Sequence, residues 1–162
     1  MSGIQTGYHP ALIGEITAAH ARYYAKNWGF GQPFETKVAS ECAGFMAHIT
    51  NRDLVLSAWE ADRFLGSMII DGSDPNAAPN QAHLRWFITV QSGRGLGRKM
   101  MQQAMEFIDQ TGSSCYLTTF RGLDPARRLY EDFGFELVEE TETLTWGKTV
   151  SEQRFERPAQ QS

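Results

Sequence analysis

Long apolar runs are missing from these 162 residues. Nothing approaches the ~18 consecutive apolar residues of a membrane span, so no membrane partner is expected. Cysteine is scarce: Cys42 and Cys115 sit in apolar or small-residue settings, with no Cys or His nearby at metal-ligand spacing. A disulfide framework and a zinc site are therefore not expected, nor is any other metal; two buried free thiols are. A basic excess is missing as well. Fifteen Lys and Arg stand against 19 Asp and Glu, a formal charge of −4, and the pI is about 5.5. A general nucleic-acid binder shows the opposite balance, so no nucleic acid is expected as a partner. The opening stretch, MSGIQTGYHPALIGE, lacks the basic and apolar regions of a signal peptide, and a cytoplasmic protein is expected. Internal repeats are absent, and only Pro158 to Ser162 is low in complexity; it is read as a frayed tail.

What remains is ordinary globular composition, 41% hydrophobic and 21% charged. A chain of this length can bury about 68–70% of its unfolded surface, enough for one domain over residues 1–157 without staples. After a short extended stretch, Ile4 to Tyr8, Pro10 can open a helix. Leu12, Ile13, Ile16, Ala19, His20, Tyr23 and Tyr24 then recur at three- and four-residue steps up to Trp28–Gly29. Phe34, Val38, Cys42, Phe45 and Met46 mark a second helix. Two strands, Asp53–Glu60 and Arg63–Ile70, form a hairpin, and the turn-rich DGSDPNAAPN at 71–80 is a loop. A strand at Ala82–Val90 leads through a glycine turn, Gly93–Gly97, into a helix carrying Met100, Met101, Ala104, Met105, Phe107 and Ile108. A strand at Cys115–Phe120 follows. Asp124 and Pro125 start another helix, with Asp124 as its N-cap. Strands Phe135–Glu140 and Leu144–Phe155 close the chain. This order predicts a mixed sheet with helices on its faces, in the α/β (α+β) class. The crossover helix makes the strands at 82–90 and 115–120 parallel.

The glycine turn, Ser92-Gly93-Arg94-Gly95-Leu96-Gly97-Arg98-Lys99, has the most chemical content. Closely spaced glycines let successive N–H groups converge, and a helix start adds unpaired donors and a positive dipole end. Such a turn suits a phosphate or diphosphate, although by itself it also reads as a flexible connection with solvated charges. A phosphate-loop NTPase would need Gly-Lys-Ser/Thr at its end, where Arg98-Lys99 follows Gly97. A dinucleotide fold would need the turn after the first strand, with an acidic residue closing the next one; here Thr118-Thr119-Phe120 closes it.

Element order and turn together resemble the GNAT superfamily of acyl-CoA-dependent N-acetyltransferases, from Tyr8 to about Arg157. Gly95 and Gly97 are similar to the paired glycines of that family's diphosphate loop. Ala126-Arg127-Arg128-Leu129-Tyr130-Glu131-Asp132-Phe133-Gly134-Phe135 is similar to its Ala-x-x-Leu-Tyr-x-x-x-Gly-Phe segment. Leu84 to Ile88, Thr119 to Asp124 and Thr145-Trp146-Gly147 look closest to the acetyltransferase domains fused behind MarR-type regulators, with no regulator half in these residues. Three features depart from the pattern: Ser92 stands where Gln or Arg is usual, Leu123 where many members have Asn, and the link from Phe87 to the glycines is about two residues short.

The resemblance implies a GNAT fold of six to seven strands and about four helices. It implies acetyl-CoA as co-substrate, and as acceptor the amine of a small molecule or peptide. It places the Tyr130 hydroxyl near the thioester sulfur as proton donor; by spacing alone Tyr130 is a core tyrosine beside Leu129 and Phe133. His83, in Ala82-His83-Leu84, stands where many relatives carry a strand glutamate and is the candidate proton acceptor, although it also reads as a partly exposed strand-start histidine. Alternation puts His83, Arg85, Phe87 and Thr89 on one face. Ile88, Thr89 and Val90 would hold the pantetheine arm by backbone hydrogen bonds. Gly93, Arg94, Gly95, Leu96, Gly97 and Arg98 would hold the diphosphate, with Thr118 and Asp124 across the groove. The acceptor pocket is expected among His20, Tyr23, Tyr24, Trp28 and Phe34, which also read as core, with Arg85 and Arg121 free to bind a carboxylate or phosphate. The alternative to an enzyme is a non-catalytic acetyl-CoA-binding sensor. A homodimer is expected, its long last strand, Leu144–Phe155, pairing or swapping with a second copy as exposed edges invite.

Overall fold

The computed structural model of the protein describes residues 2–91, 93–144, 146 and 148–161. Ser92, and with it the departure at that position, lies outside them, as do Thr145 and Gly147 of the Thr-Trp-Gly motif. Eleven elements follow in the order β1 (Ser2–Thr6), α1 (Leu12–Trp28), α2 (Gln32–Met46), β2 (Leu54–Glu60), β3 (Arg63–Asp71), β4 (Gln81–Thr89), α3 (Leu96–Thr111), β5 (Ser114–Phe120), α4 (Asp124–Asp132), β6 (Glu136–Thr143) and β7 (Val150–Arg157). The seven strands form one sheet in the order β1-β2-β3-β4-β5-β7-β6. Every neighbouring pair is antiparallel except β4 and β5, which the α3 crossover makes parallel, as expected.

The two faces of the sheet carry separate cores. Alternation along β2 sends Leu56 and Ala58 to one side and Val55 and Trp59 to the other. On the first side, α3 lays down Met100, Met101, Ala104, Met105 and Ile108, spaced three and four apart and 3% exposed or less. Each buried Met or Ile side chain stabilises by roughly 1.5–3 kcal/mol. On the second side lie Leu12 and Ile16 of α1 and Cys42 of α2. Both cysteines are free and buried. Burial pushes the Cys42 thiol up to about 11 and the Cys115 thiol up to about 12.

Four expectations need correction. Helix α1 starts at Leu12 and not at Pro10, because Ala11 takes a left-handed conformation (φ 74°) ahead of it. Asp124 is the first residue of α4 and not its cap: Leu123 occupies the cap, with no side-chain hydrogen bond. The final strand is Val150–Arg157; Leu144 lies outside it, 68% exposed, while β6 runs on to Thr143. Strand β7 is also interior, paired to both β5 and β6, so the sheet edges are β1 and β6 and the argued pairing of an exposed last strand with a second copy has no edge to use.

The fourth correction concerns β4. Ile69 pairs with Arg85 and Ser67 with Ile88, so two steps on β3 match three on β4. The extra residue makes a bulge at Trp86, which has a φ of 47° and whose carbonyl accepts a hydrogen bond from Ser67 Oγ at 2.7 Å. The bulge reverses the alternation. Phe87 packs with Ala82 and Leu84 against α3, while Trp86 and Ile88 pack toward α1 and α2. Phe87 therefore does not share a face with His83 and Arg85.

Candidate active site

Strands β4 and β5 pair over three residues only, Gln81–Ser114, Ala82–Cys115 and His83–Tyr116. Beyond that point they diverge, β4 staying with β3 and β5 with β7. The Val90 N–H donates to Leu65 O at 2.8 Å. Strand alternation then turns the N–H and C=O of Thr89 away from β3, into the opening between the strands. Ile88 and Val90 direct theirs to β3. Of the three residues expected to hold an extended arm by backbone bonds, Thr89 has the free edge.

A cavity of about 1040 Å³ fills this divergence and extends under α1 and α2. Of the expected site residues, Tyr24, His83, Arg85, Ile88, Thr89, Thr118 and Tyr130 line it. Trp28, Val90, Asp124, Arg121 and the turn from Gly93 to Arg98 do not. Trp28 belongs to the aromatic cluster behind Tyr24, with Phe30 and Phe120. Arg121 is 72% exposed and lies 3.6 Å from Glu140, away from the cavity. Arg85 is not available to an anion either. Its guanidinium is bound by Glu41 at 2.6 Å and Asp71 at 3.2 Å, and it lies over the Trp86 ring.

Tyr130 comes from the apolar face of α4. It is 5% exposed, among Phe87, Phe135 and Phe155. Burial raises its phenol well above the usual value, and the nearby Tyr24 phenol adds to the shift. The hydroxyl is a proton donor throughout the neutral range.

His83 is at the apex of the divergence. Asp74, from the loop after β3, lies 2.8 Å from its Nδ1 and also accepts a hydrogen bond from the Tyr116 hydroxyl. The imidazole stacks on Tyr116, with centroids 4.1 Å apart, and Arg154 covers the other partner of that stack. Burial lowers the histidine to about 4, with the Arg85 charge adding, against the opposing pull of Asp74. Burial pushes the Asp74 carboxyl up, but the hydrogen bonds from Tyr116, the Asn76 N–H and His83 together leave it below its ordinary value. His83 is thus neutral at pH 7, its proton on Nδ1 toward Asp74 and its Nε2 lone pair free. Asp74 and Tyr116 were not singled out by the sequence. One lay in a stretch legible only as loop and the other in a strand, and no local signal pairs residues 42 apart in the chain.

The glycine turn adjoins the cavity through Gly97. A Cβ there would stand 3.0 Å from the Phe87 ring and 3.4 Å from Leu129. Gly93 and Gly95 have φ of 83° and 69°, with open space around both. Lys99 N bonds to Gly95 O at 3.1 Å, closing the first turn of α3. The amides of Leu96, Gly97 and Arg98 stand ahead of that bond, without a helical carbonyl to bind. The two nearby arginines are occupied: Arg94 is 3.1 Å from Glu60 and Arg98 is 2.6 Å from Asp132. Among the described residues no group of three or more His, Cys, Asp or Glu is placed to hold a metal ion, and no helix is long and apolar enough to cross a membrane.

Comparison with known proteins identifies the family and the fold. Residues 15–135 match the model of the acetyltransferase (GNAT) family, and the chain belongs to that family. Solved structures share the fold at low identity. A candidate acetyltransferase from Salmonella typhimurium, solved with its cofactor acetyl-CoA, superposes at a TM-score of 0.76 with 13% identity, over 99% of this chain and 96% of that one. The ribosomal-protein-alanine N-acetyltransferase of Brucella melitensis gives 0.75 and 12%, over 96% and 98%. The ribosomal-protein-S18-alanine N-acetyltransferase of Escherichia coli gives 0.69 and 16%, over 100% and 96%. No curated protein matches the sequence. At these identities the structural likeness establishes the fold, a seven-stranded mixed sheet flanked by four helices.

Proposed function

We propose that the protein is an N-acetyltransferase that moves the acetyl group of acetyl-CoA onto a primary amine of a small molecule or peptide. The observation that carries this reading is the divergence of β4 and β5 after His83–Tyr116, with an unpaired backbone edge, a buried phenol and a neutral imidazole opening onto one cavity. Acetyl-CoA, when bound, supplies an activated acetyl thioester. The residues present fit it: the Leu96, Gly97 and Arg98 amides would hold the diphosphate at the positive end of α3, and Thr89 would pair with the extended arm as an added strand would. Tyr130 holds a proton on its hydroxyl at neutral pH and gives it to the leaving sulfur. His83 Nε2 accepts a proton from the incoming amine, directly or through a water, while Asp74 fixes the ring's tautomer. Positioning the two reactants in one groove can itself supply about 7–11 kcal/mol.

The test is release of free CoA from acetyl-CoA across a panel of primary amines, beside calorimetric binding of acetyl-CoA. Amine-dependent release supports the enzyme. Tight binding with no release from any amine would turn the reading to a domain that senses acetyl-CoA, and no binding at all would end both.

A further inference from the structure

His20 is the buried titratable group that this mechanism leaves unused. It falls on the inward stripe of α1 with Leu12 and Ile16, where helical periodicity calls for an apolar side chain. It is 6% exposed. Its Nδ1 lies 2.8 Å from the Ile16 carbonyl one turn back, which places the ring proton on Nδ1 and leaves Nε2 as a bare acceptor. Nε2 makes no hydrogen bond within the described residues. His20 lines the same cavity as His83 and Tyr130. Burial lowers its pKa to about 4, so the lone pair stays available at neutral pH.

The ring beside His20 is Tyr24, which leads on to further rings. Tyr24 lies nearly parallel to His20, 10° between planes and 6.4 Å between centroids. Tyr24 in turn meets Phe34 at 4.9 Å and Phe120 at 5.9 Å, and Trp146 meets Phe34 edge-on at 5.2 Å. A single acceptor in such a wall is costly to bury unless a donor reaches it, and rings at these spacings suit a further ring. We propose that His20 Nε2 accepts a hydrogen bond from the N–H of the acceptor amine, and that this amine is borne on an aromatic, arylalkyl skeleton. The proposal rests on the acetyltransferase reading for its consequence in turnover, not for the contact itself.

The probe is 2-phenylethylamine added to CoA-loaded protein labelled with nitrogen-15 at histidine. The Nε2 resonance of His20 is expected to move with this amine and to stay still with its N,N,N-trimethyl derivative, which has no N–H. No movement with the primary amine, or equal movement with both, overturns the proposal. In turnover, His20→Phe, which suits the apolar stripe, is expected to lower kcat/KM for 2-phenylethylamine by about tenfold, with acetyl-CoA affinity unchanged. His20→Gln, which restores an acceptor oxygen, recovers most of the loss. His20→Phe within about twofold of the parent, or His20→Gln no better than His20→Phe, counts against the proposal. Movement of the resonance without CoA release from any amine of the panel upholds the contact and sinks the acetyltransferase reading; CoA release without movement does the reverse.

Discussion

Between Gly93 and Arg98 the side chains that carry charge are already engaged, Arg94 by Glu60 and Arg98 by Asp132, and the groups left open are backbone amides. Around the cavity the situation is inverted. Much of the backbone is bound into strands and helices, apart from the facing edges of β4 and β5 and the loop after β3, and the open groups that the proposed chemistry uses are side-chain atoms: the Tyr130 hydroxyl and the Nε2 atoms of His83 and His20. The first region is made from one stretch of six residues. The second gathers α1, the loop after β3, β4, β5 and α4. A site made of backbone tolerates loss of side chains but not of conformation, and a site made of side chains does the opposite.

Tyr130→Phe tests the second half of that contrast with the largest effect. The ring keeps its packing on Phe87, Phe135 and Phe155 while the proton is lost. Turnover with an accepted amine is expected to fall by about 10²–10⁴-fold, with acetyl-CoA affinity and Tm close to the parent's. A fall in affinity as large as the fall in turnover would mean that the hydroxyl binds and does not donate.

Two of the histidines that line the cavity, His20 and His83, also set how the fold responds to acid. Both are held near 4 in the folded chain, against 6.5 for a free imidazole. Between those values the unfolded chain takes up protons that the folded one refuses. Stability is therefore complete above about pH 6.5 and declines as pH falls toward 4, by on the order of 2–3 kcal/mol for the buried His20 and by less for the part-exposed His83. Urea unfolding at pH 7 and pH 5 measures the slope. His20→Phe should flatten it, and a slope unchanged in that variant would show that His20 titrates normally.

Gly95→Ala breaks the first half. Open space surrounds the position, so a methyl group meets nothing; what it meets is a φ of 69°, which costs about 1–2 kcal/mol for an L-residue. The turn relaxes or strains, and the amides of Leu96 and Gly97 lose their common aim. Acetyl-CoA KM is expected to rise several-fold with kcat retained, the reverse of Tyr130→Phe. A fall in kcat with KM unmoved would place the turn outside the binding of acetyl-CoA.

The same contrast explains what the sequence made legible. The turn is contiguous, so its glycines and helix start can be read along the chain. Tyr130 was readable because Leu129, Gly134 and Phe135 lie beside it. Element order, the parallel β4–β5 pair and the α3 core followed from periodicity and crossover rules. The bulge at Trp86 was not readable: strict alternation is the default for a strand, and the extra residue exists only in the register against β3. Nor was the engagement of Arg85 by Glu41 and Asp71, residues brought to it from α2 and the end of β3. Arg121 misled for a related reason, since a cation one residue past β5 can turn to either side, and it turns toward Glu140.

The smallest effect is expected at the rim of the turn. Glu60 is half exposed and is held below the usual carboxylate value by its hydrogen bond from Arg63 and then by Arg94. Arg94 is 46% exposed. Exposed pairs of this kind contribute little to folding, so Glu60→Gln should leave Tm where it is. Its effect lies in the cation it releases. With Glu60 neutral, Arg94 is free to face an anion at the start of α3, and acetyl-CoA affinity should rise by at most about fivefold at low ionic strength, a gain that shrinks as added salt shortens the Debye length. Arg94→Ala should lower affinity by a comparable or smaller factor if, as proposed, the amides do the holding. Isothermal titration at two salt concentrations separates the cases. A loss approaching that of Gly95→Ala would mean that the guanidinium, and not the bared start of the helix, grips the diphosphate, and the division between a backbone site and a side-chain site would no longer stand.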